Sequence, residues 1–268
     1  MTKGLRSCGA LTRVGFDPEA FEIDPINMPC PFPGLAAYDD EDHHAAVFYA
    51  RGAEIALTIE HLRRQRASGD LSPIGIIGAS GSGKSSLIRA GILPRLRREK
   101  PWICLRAFRP ATTPLLNFSD AIQRTYAMYG RKVAAGQIRD VLRSEWEACN
   151  PGSYGRLGEN DLLKLRAILD RFAEDLREMS GRADATCLTA LDQAEELIVS
   201  TSTSADMFAD YLRAACTMPA FSGDGMREAS GGRRILFTVR TDSYGSLQRH
   251  SRFEGLEARS VDLCPLPV

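Results

Sequence analysis

Apolar positions along this chain alternate between two spacings. Short, near-continuous apolar runs occur at Ile74-Gly75-Ile76-Ile77, Trp102 to Phe108, Ala185 to Leu191 and Ile235 to Val239, with a plausible fifth at Ser260 to Leu263. Runs of that length, rich in β-branched residues, predict buried strands. Between them the apolar residues recur at helical spacing. The sets are Ile88, Ile92 and Leu96; Leu115, Phe118, Ile122 and Tyr126; a stretch from Val133 to Trp146; Leu165, Ile168, Leu169, Phe172 and Leu176; and Phe208, Tyr211, Leu212 and Ala215. Each predicts an amphipathic helix. Pro94 should kink the helix after the first strand or end its regular part. Ahead of that strand, Ala45-Ala46-Val47-Phe48 predicts a short helix. A second helix is predicted from Glu54 through Ile55, Ile59 and Leu62, ended by Ser68-Gly69-Asp70. Strands alternating with helices predict an α/β fold, a mostly parallel five-stranded sheet with helices on both faces in a three-layer sandwich. Asn150 to Gly158 and Ser222 to Gly232 read as turn-rich breaks or surface loops.

Composition narrows the classes without choosing one. Lys plus Arg and Asp plus Glu balance at 34 each, so no global charge draws the chain to nucleic acid or a membrane surface. No apolar run reaches membrane-spanning length, and Met1 to Ala10 lacks the apolar core of a secretion signal. The seven cysteines are scattered with no C-x-x-C pair, which argues against disulfides and structural zinc and for a reducing cytoplasm. Cys30, His43 and His44 lack metal-ligand spacing and are read as separate residues. The acidic run Asp39-Asp40-Glu41-Asp42 is read as complementing a helix dipole. The basic cluster Arg95, Arg97, Arg98 and Lys100 is read as a solvated helix end rather than a nucleic-acid patch. Residues 1–28 have no sustained period and read as a poorly ordered leader. The folded unit is expected over residues 29–268.

Gly78-Ala79-Ser80-Gly81-Ser82-Gly83-Lys84-Ser85 reads G-x-x-x-x-G-K-S, directly after the first strand and opening a helix. A glycine-rich turn aims backbone N–H groups at anionic oxygens, and a helix N-terminus adds unpaired N–H groups and dipole charge. The pattern is that of the Walker A phosphate-binding loop of a P-loop NTPase, the alternative being an ordinary Gly/Ser turn; in the first reading Lys84 would reach the β- and γ-phosphates and the Ser85 hydroxyl would ligate Mg²⁺. In parallel sheets ligands bind at the carboxyl ends of the strands. Ser85, Asp192 and Arg240 all fall just past strand ends. Asp192, as a Walker B carboxylate, can hold Mg²⁺ directly or through its water. Glu195 and Glu196 are the candidates to orient a nucleophilic water. The alternative is that they are first-turn acids complementing a helix dipole. Arg240 could contact the γ-phosphate or simply pair with Asp242.

The motifs in order resemble those of signal-transduction ATPases with numerous domains, the STAND class, and its bacterial novel STAND NTPase branch in particular. The matching stretches are Pro31-Phe32-Pro33-Gly34-Leu35, Phe48-Tyr49-Ala50-Arg51-Gly52-Ala53-Glu54, and Gly78 to Pro94. Asp192-Gln193-Ala194-Glu195-Glu196 and Thr238-Val239-Arg240-Thr241-Asp242-Ser243-Tyr244-Gly245 complete the series. The resemblance covers residues 30–268. It implies ATP rather than GTP, with Mg²⁺, and contacts to the adenine side from the Arg51 region. No N-K-x-D guanine motif follows downstream. The nucleotide-binding candidates are Arg51, Gly78, Ala79, Ser80, Gly81, Ser82, Gly83, Lys84, Ser85 and Ser86; Lys84, Glu195, Glu196 and Arg240 are the catalytic ones. Ala50 departs from the family's usual glycine. The helical lid, winged-helix element and effector domains of family members are not expected before Val268. The implied protein is an ATP/ADP switch core that hydrolyses slowly, with self-association or further sensor and effector domains as its partners. Two other readings stay open: a P-loop kinase of a small-molecule acceptor, and a catalytically degenerate scaffold.

Overall fold

Ile74, Ile76 and Ile77 form strand β1 (Ile74–Gly78), buried along its whole length. A strand covered on both faces reads as a continuous apolar run, the pattern of a central parallel strand. The computed structural model describes residues 36–48, 51–150, 157–217, 232–253, 256 and 258–264. The Pro31–Leu35 motif, the leader, Ala50, and the Gly/Ser-rich loop up to residue 231 lie outside the described residues. The other strands are β2 (Trp102–Cys104), β3 (Thr186–Leu191), β4 (Arg233–Arg240) and β5 (Arg259–Leu263). All neighbours pair in parallel in the order β2-β3-β4-β1-β5. The expected α/β sheet is therefore present. Strand β4, late in sequence, sits between the strand that carries the glycine-rich loop and the strand that leads into Asp192. Gly75 leaves room on β1 for the Phe237 ring of β4, since a Cβ there would lie 2.7 Å from that ring.

Alternate residues of the strands feed separate cores on the two faces. On one face, helices α1 (Asp42–Val47), α2 (Gly52–Ser68) and α3 (Lys84–Ser86, Leu87–Ile92 and Leu93–Arg98, continuous) cover Ile74, Ile76, Leu188, Leu236 and Val261. On the other, α4 (Pro114–Met128), α5 (Ala135–Cys149), α6 (Glu159–Ser180) and α8 (Thr203–Cys216) cover Ile77, Cys187, Leu191, Ile235 and Phe237. The short α7 (Glu196–Val199) follows β3, and α9 (Thr241–Arg249) follows β4. Gly69, left-handed at φ 74°, ends α2 where the sequence placed its stop.

Helix α3 departs from expectation at Pro94. It starts as α-helix at Lys84–Ser86, passes through a π-helical stretch at Leu87–Ile92, and resumes as Leu93–Arg98. Proline has no N–H and its ring crowds the carbonyl four residues back. The helix absorbs this by widening its register, so the Leu93 N–H donates to the Ile88 carbonyl. The Arg95 guanidinium then donates to the carbonyls of Ala90, at 3.0 Å, and Gly91, at 2.8 Å. The predicted kink becomes a repaired bulge, and the helix continues.

The two opposite charge runs also behave differently from their reading in isolation. Arg97 and Arg106 both grip the buried Asp40 carboxylate, and Arg97 also donates to the Asp40 carbonyl at 3.0 Å. Arg98 pairs with Asp42 at 3.0 Å, Arg106 with Glu41 at 2.9 Å and Arg89 with Asp39 at 3.3 Å. The acidic run is thus a latch on α3 and its neighbour Arg106. The basic cluster is partly neutralised within the chain, because the fold brings the two runs together. Asp40→Ala should lower stability by about 3 kcal/mol, the low end for a broken buried pair because both guanidinium groups keep some contact with water. Asp42→Ala, breaking a solvent-exposed pair, should cost under about 1 kcal/mol. Urea unfolding midpoints of the two variants give the comparison, and equal shifts would remove the distinction between buried latch and surface pair.

Candidate nucleotide site

The turn between β1 and α3 needs left-handed backbone at Gly81 (φ 76°) and Gly83 (φ 88°). No atom lies within 4 Å of a Cβ at either, so backbone conformation, not crowding, calls for glycine. Gly78 is different: a Cβ there would meet Ser82 Oγ at 2.7 Å and the Leu263 carbonyl at 2.8 Å. Lys84 folds back over the loop, its Nζ donating to the carbonyls of Gly78 at 2.9 Å and Ala79 at 2.7 Å. Burial lowers the proton affinity of this amine; Glu195 and Asp192 oppose that shift.

Asp192 is the centre of the site. Its side chain is 0% exposed. Oδ1 accepts hydrogen bonds from Ser85 Oγ and Thr238 Oγ1, both at 2.8 Å. The carboxylate thereby ties the start of α3 to the ends of β3 and β4. Thr238 also holds the next turn: its Oγ1 accepts from the Gln193 N–H at 2.8 Å and its carbonyl from the Ala194 N–H at 2.8 Å. Gln193 is left-handed at φ 60°, so the chain turns sharply after Asp192. Glu195 and Glu196 then diverge. Glu195 Oε2 is buried without a hydrogen-bond partner, and burial raises its pKa. Glu196 Oε2 accepts the Ala111 N–H at 2.8 Å, on the loop after β2.

The remaining candidates divide by position. Arg240 stands at the end of β4, 48% exposed, and pairs with Asp242 at 2.7 Å. Ser86 Oγ accepts the Tyr38 N–H at 3.2 Å. Arg51 is buried behind the loop, donating to the Ser82 carbonyl at 3.0 Å and pairing with Glu54 at 2.8 Å. It braces the loop and does not line the cavity beside it. That cavity, of about 600 Å³, is walled by Ser80, Lys84, Ser85, Glu195, Glu196 and Arg240, with Ala36 and Ala37 at its edge. Its size suits a cofactor-sized ligand. Two other cavities, of about 40 and 20 Å³, are small apolar voids between helices and sheet. Sequence reading missed Thr238 as a hydrogen-bond partner although it opens a quoted motif. It missed Arg89 and Arg109, which both reach Asp192 and carry no local signal.

A parallel sheet with a glycine-rich loop at one strand end and a buried carboxylate at another has the arrangement of a phosphate-loop NTPase. The chain belongs to the Novel STAND NTPase 1 family, whose model matches residues 31–267. A search of curated proteins found no match. Family membership makes this a STAND-class NTPase fold, and it favours a nucleotide as the ligand of the cavity.

The half-buried Glu195 carboxyl, with Oε2 unpartnered, gives the fold a pH signature. A carboxyl whose folded pKa is raised penalises the folded chain as pH rises through that value, and the penalty is absent below the unfolded value. Glu195→Gln should therefore melt higher than wild type at pH 7–8. The difference should shrink as pH falls toward the ordinary glutamate value of 4.5. Thermal melts from pH 4.5 to 8 supply the test, and a pH-independent difference would assign it to packing instead.

Proposed function

We propose that this chain is an ATP-binding, slowly hydrolysing signalling switch whose nucleotide site is the cavity beside Gly78 to Ser85. The observation that carries the reading is the meeting of Ser85 and Thr238 on the buried Asp192, with Lys84 and Glu195 walling the same cavity. Loop N–H groups and the first turn of α3 would bind phosphate oxygens. Lys84, now held by two loop carbonyls, would exchange them for the terminal phosphates. The hydroxyl of Ser85 and carboxylate of Asp192 are a hard-oxygen donor pair of the kind Mg²⁺ takes, so these residues fit that ion. Mg²⁺ would supply charge neutralisation for the phosphoryl group.

Glu195 has the free carboxylate oxygen needed to accept a hydrogen bond from a water and orient it. Glu196 spends one oxygen on the loop after β2 and supports rather than performs that role. Arg240 would trade Asp242 for phosphate. Preference for ATP over GTP follows from the family resemblance, which also implies adenine-side contacts from the Arg51 region; Arg51 itself would act through the loop it braces. Hydrolysis is slow in this reading because Arg240 is half exposed and engaged elsewhere, so charge stabilisation in a dry site is incomplete.

Lys84→Ala should weaken Mg²⁺-ATP binding by about 1.5–3 kcal/mol, the worth of a charge-assisted hydrogen bond. Titration calorimetry giving equal affinities, or tighter binding of GTP than ATP, counts against the site. In single-turnover assays Glu195→Gln should keep ATP and lose hydrolysis, with Glu196→Gln milder; the reverse order would move the water to the other acid. Steady-state phosphate release should fall well below the roughly 1–10³ s⁻¹ of typical enzymes. Turnover near 10 s⁻¹ that vanishes in Lys84→Ala would instead make the chain a fast enzyme.

A further inference from the structure

The two oxygens of Asp192 are held very differently. Oδ1 has two short hydroxyl hydrogen bonds, at 2.8 Å. Oδ2 faces two guanidinium groups, Arg109 Nε at 3.4 Å and an Arg89 terminal nitrogen at 3.5 Å. Charge-assisted N–H to O⁻ bonds are ordinarily about 2.7–2.9 Å, so both arginine contacts are loose. Arg89 is shared with Asp39 and only 21% exposed. Arg109 is 47% exposed, so its head can exchange the carboxylate for water at small cost.

The backbone carrying Arg109 is clamped. Asn117 Nδ2 donates to the carbonyls of Arg109, at 3.1 Å, and Pro110, at 2.9 Å. Glu196 holds the Ala111 N–H, where the chain is left-handed at φ 47°. The Gln193 amide, oriented to satisfy both neighbours, accepts from Arg109 at 3.1 Å and donates to Glu196 at 2.9 Å. A fixed backbone, with a half-exposed cation whose contact to Asp192 alone is loose, suits a group that can leave the carboxylate without moving its loop. Arg109 does not line the cavity, so it acts through Asp192.

We propose that Arg109 is a displaceable counterion of Asp192, a positioning residue that sets how much free Mg²⁺ the chain needs before it holds a nucleoside triphosphate tightly. The proposal rests on the reading of the site given above. A guanidinium and a divalent cation repel one another when both sit on one carboxylate. Arg109 therefore keeps the buried carboxylate neutralised before metal arrives, and its departure is part of what metal binding must overcome.

Calorimetric ATP titrations across a range of free Mg²⁺, on wild type, Arg109→Gln and Arg109→Lys, provide the test. Arg109→Gln should reach half-maximal ATP affinity at roughly fivefold lower free Mg²⁺, the scale of one partly exposed ion pair. Arg109→Lys should stay close to wild type, and all three should converge at saturating Mg²⁺. Asn117→Ala, which frees the loop, should shift the threshold in the same direction as Arg109→Gln. Without divalent cations Arg109→Gln should melt lower than wild type, and Mg²⁺-ATP should close the gap. A threshold unmoved in Arg109→Gln and Asn117→Ala overturns the proposal, as does lost ATP affinity of Arg109→Gln at saturating Mg²⁺, which would make Arg109 a phosphate ligand. Failure of wild type to bind ATP at any Mg²⁺ concentration would overturn the site reading itself.

Discussion

A carboxylate removed from water must be given partners, or folding around it is costly. Asp192 is that carboxylate here, and the partners it recruits organise the molecule. Ser85 comes from the first turn of α3, Thr238 from β4 and the guanidinium groups from α3 and the loop after β2. Satisfying one side chain thus aligns the ends of three parallel strands with the start of a helix. The cavity follows, because the glycine-rich loop and Glu195 are then held on either side of the same point.

Electrostatic pairing governs the rest of that face as well. The chain has no net charge, yet its acidic run and its arginines are segregated in sequence and meet in space. Asp40 is buried between Arg97 and Arg106, and Asp39 reaches Arg89, which also faces Asp192. The segment ahead of α1 is therefore joined to the phosphate-loop helix by charge as well as by the Tyr38 to Ser86 hydrogen bond. A nucleotide bound in the cavity would have this segment at its rim.

Local pattern carried far in this chain where the cause was itself local. Strand runs buried on both faces, the amphipathic stripe of α6, the Gly69 stop and the strand-loop-helix setting of Gly78 to Ser85 all rest on interactions within a few residues. The five-motif order was sufficient to point to the STAND class, and the family match covers residues 31–267. Pro94 marks where local reasoning ran short. Its missing N–H was legible, but the register change upstream and the Arg95 side chain that repairs two carbonyls were not.

The sequence by itself determined the elements, the phosphate loop and the acids that follow β3, because periodicity and turn chemistry are encoded in neighbouring residues. Only the tertiary structure decided that β4 lies between β1 and β3, which puts Thr238 against Asp192. It alone separated Glu195, one carboxylate oxygen of which is buried without a partner, from Glu196, bound to Ala111, since adjacent residues of like chemistry differ only in what the fold sets opposite them. It alone turned the acidic run into a latch and brought Arg109 across 83 positions to Asp192. Pairings at that range depend on strand order and loop path, which no short stretch of chain encodes.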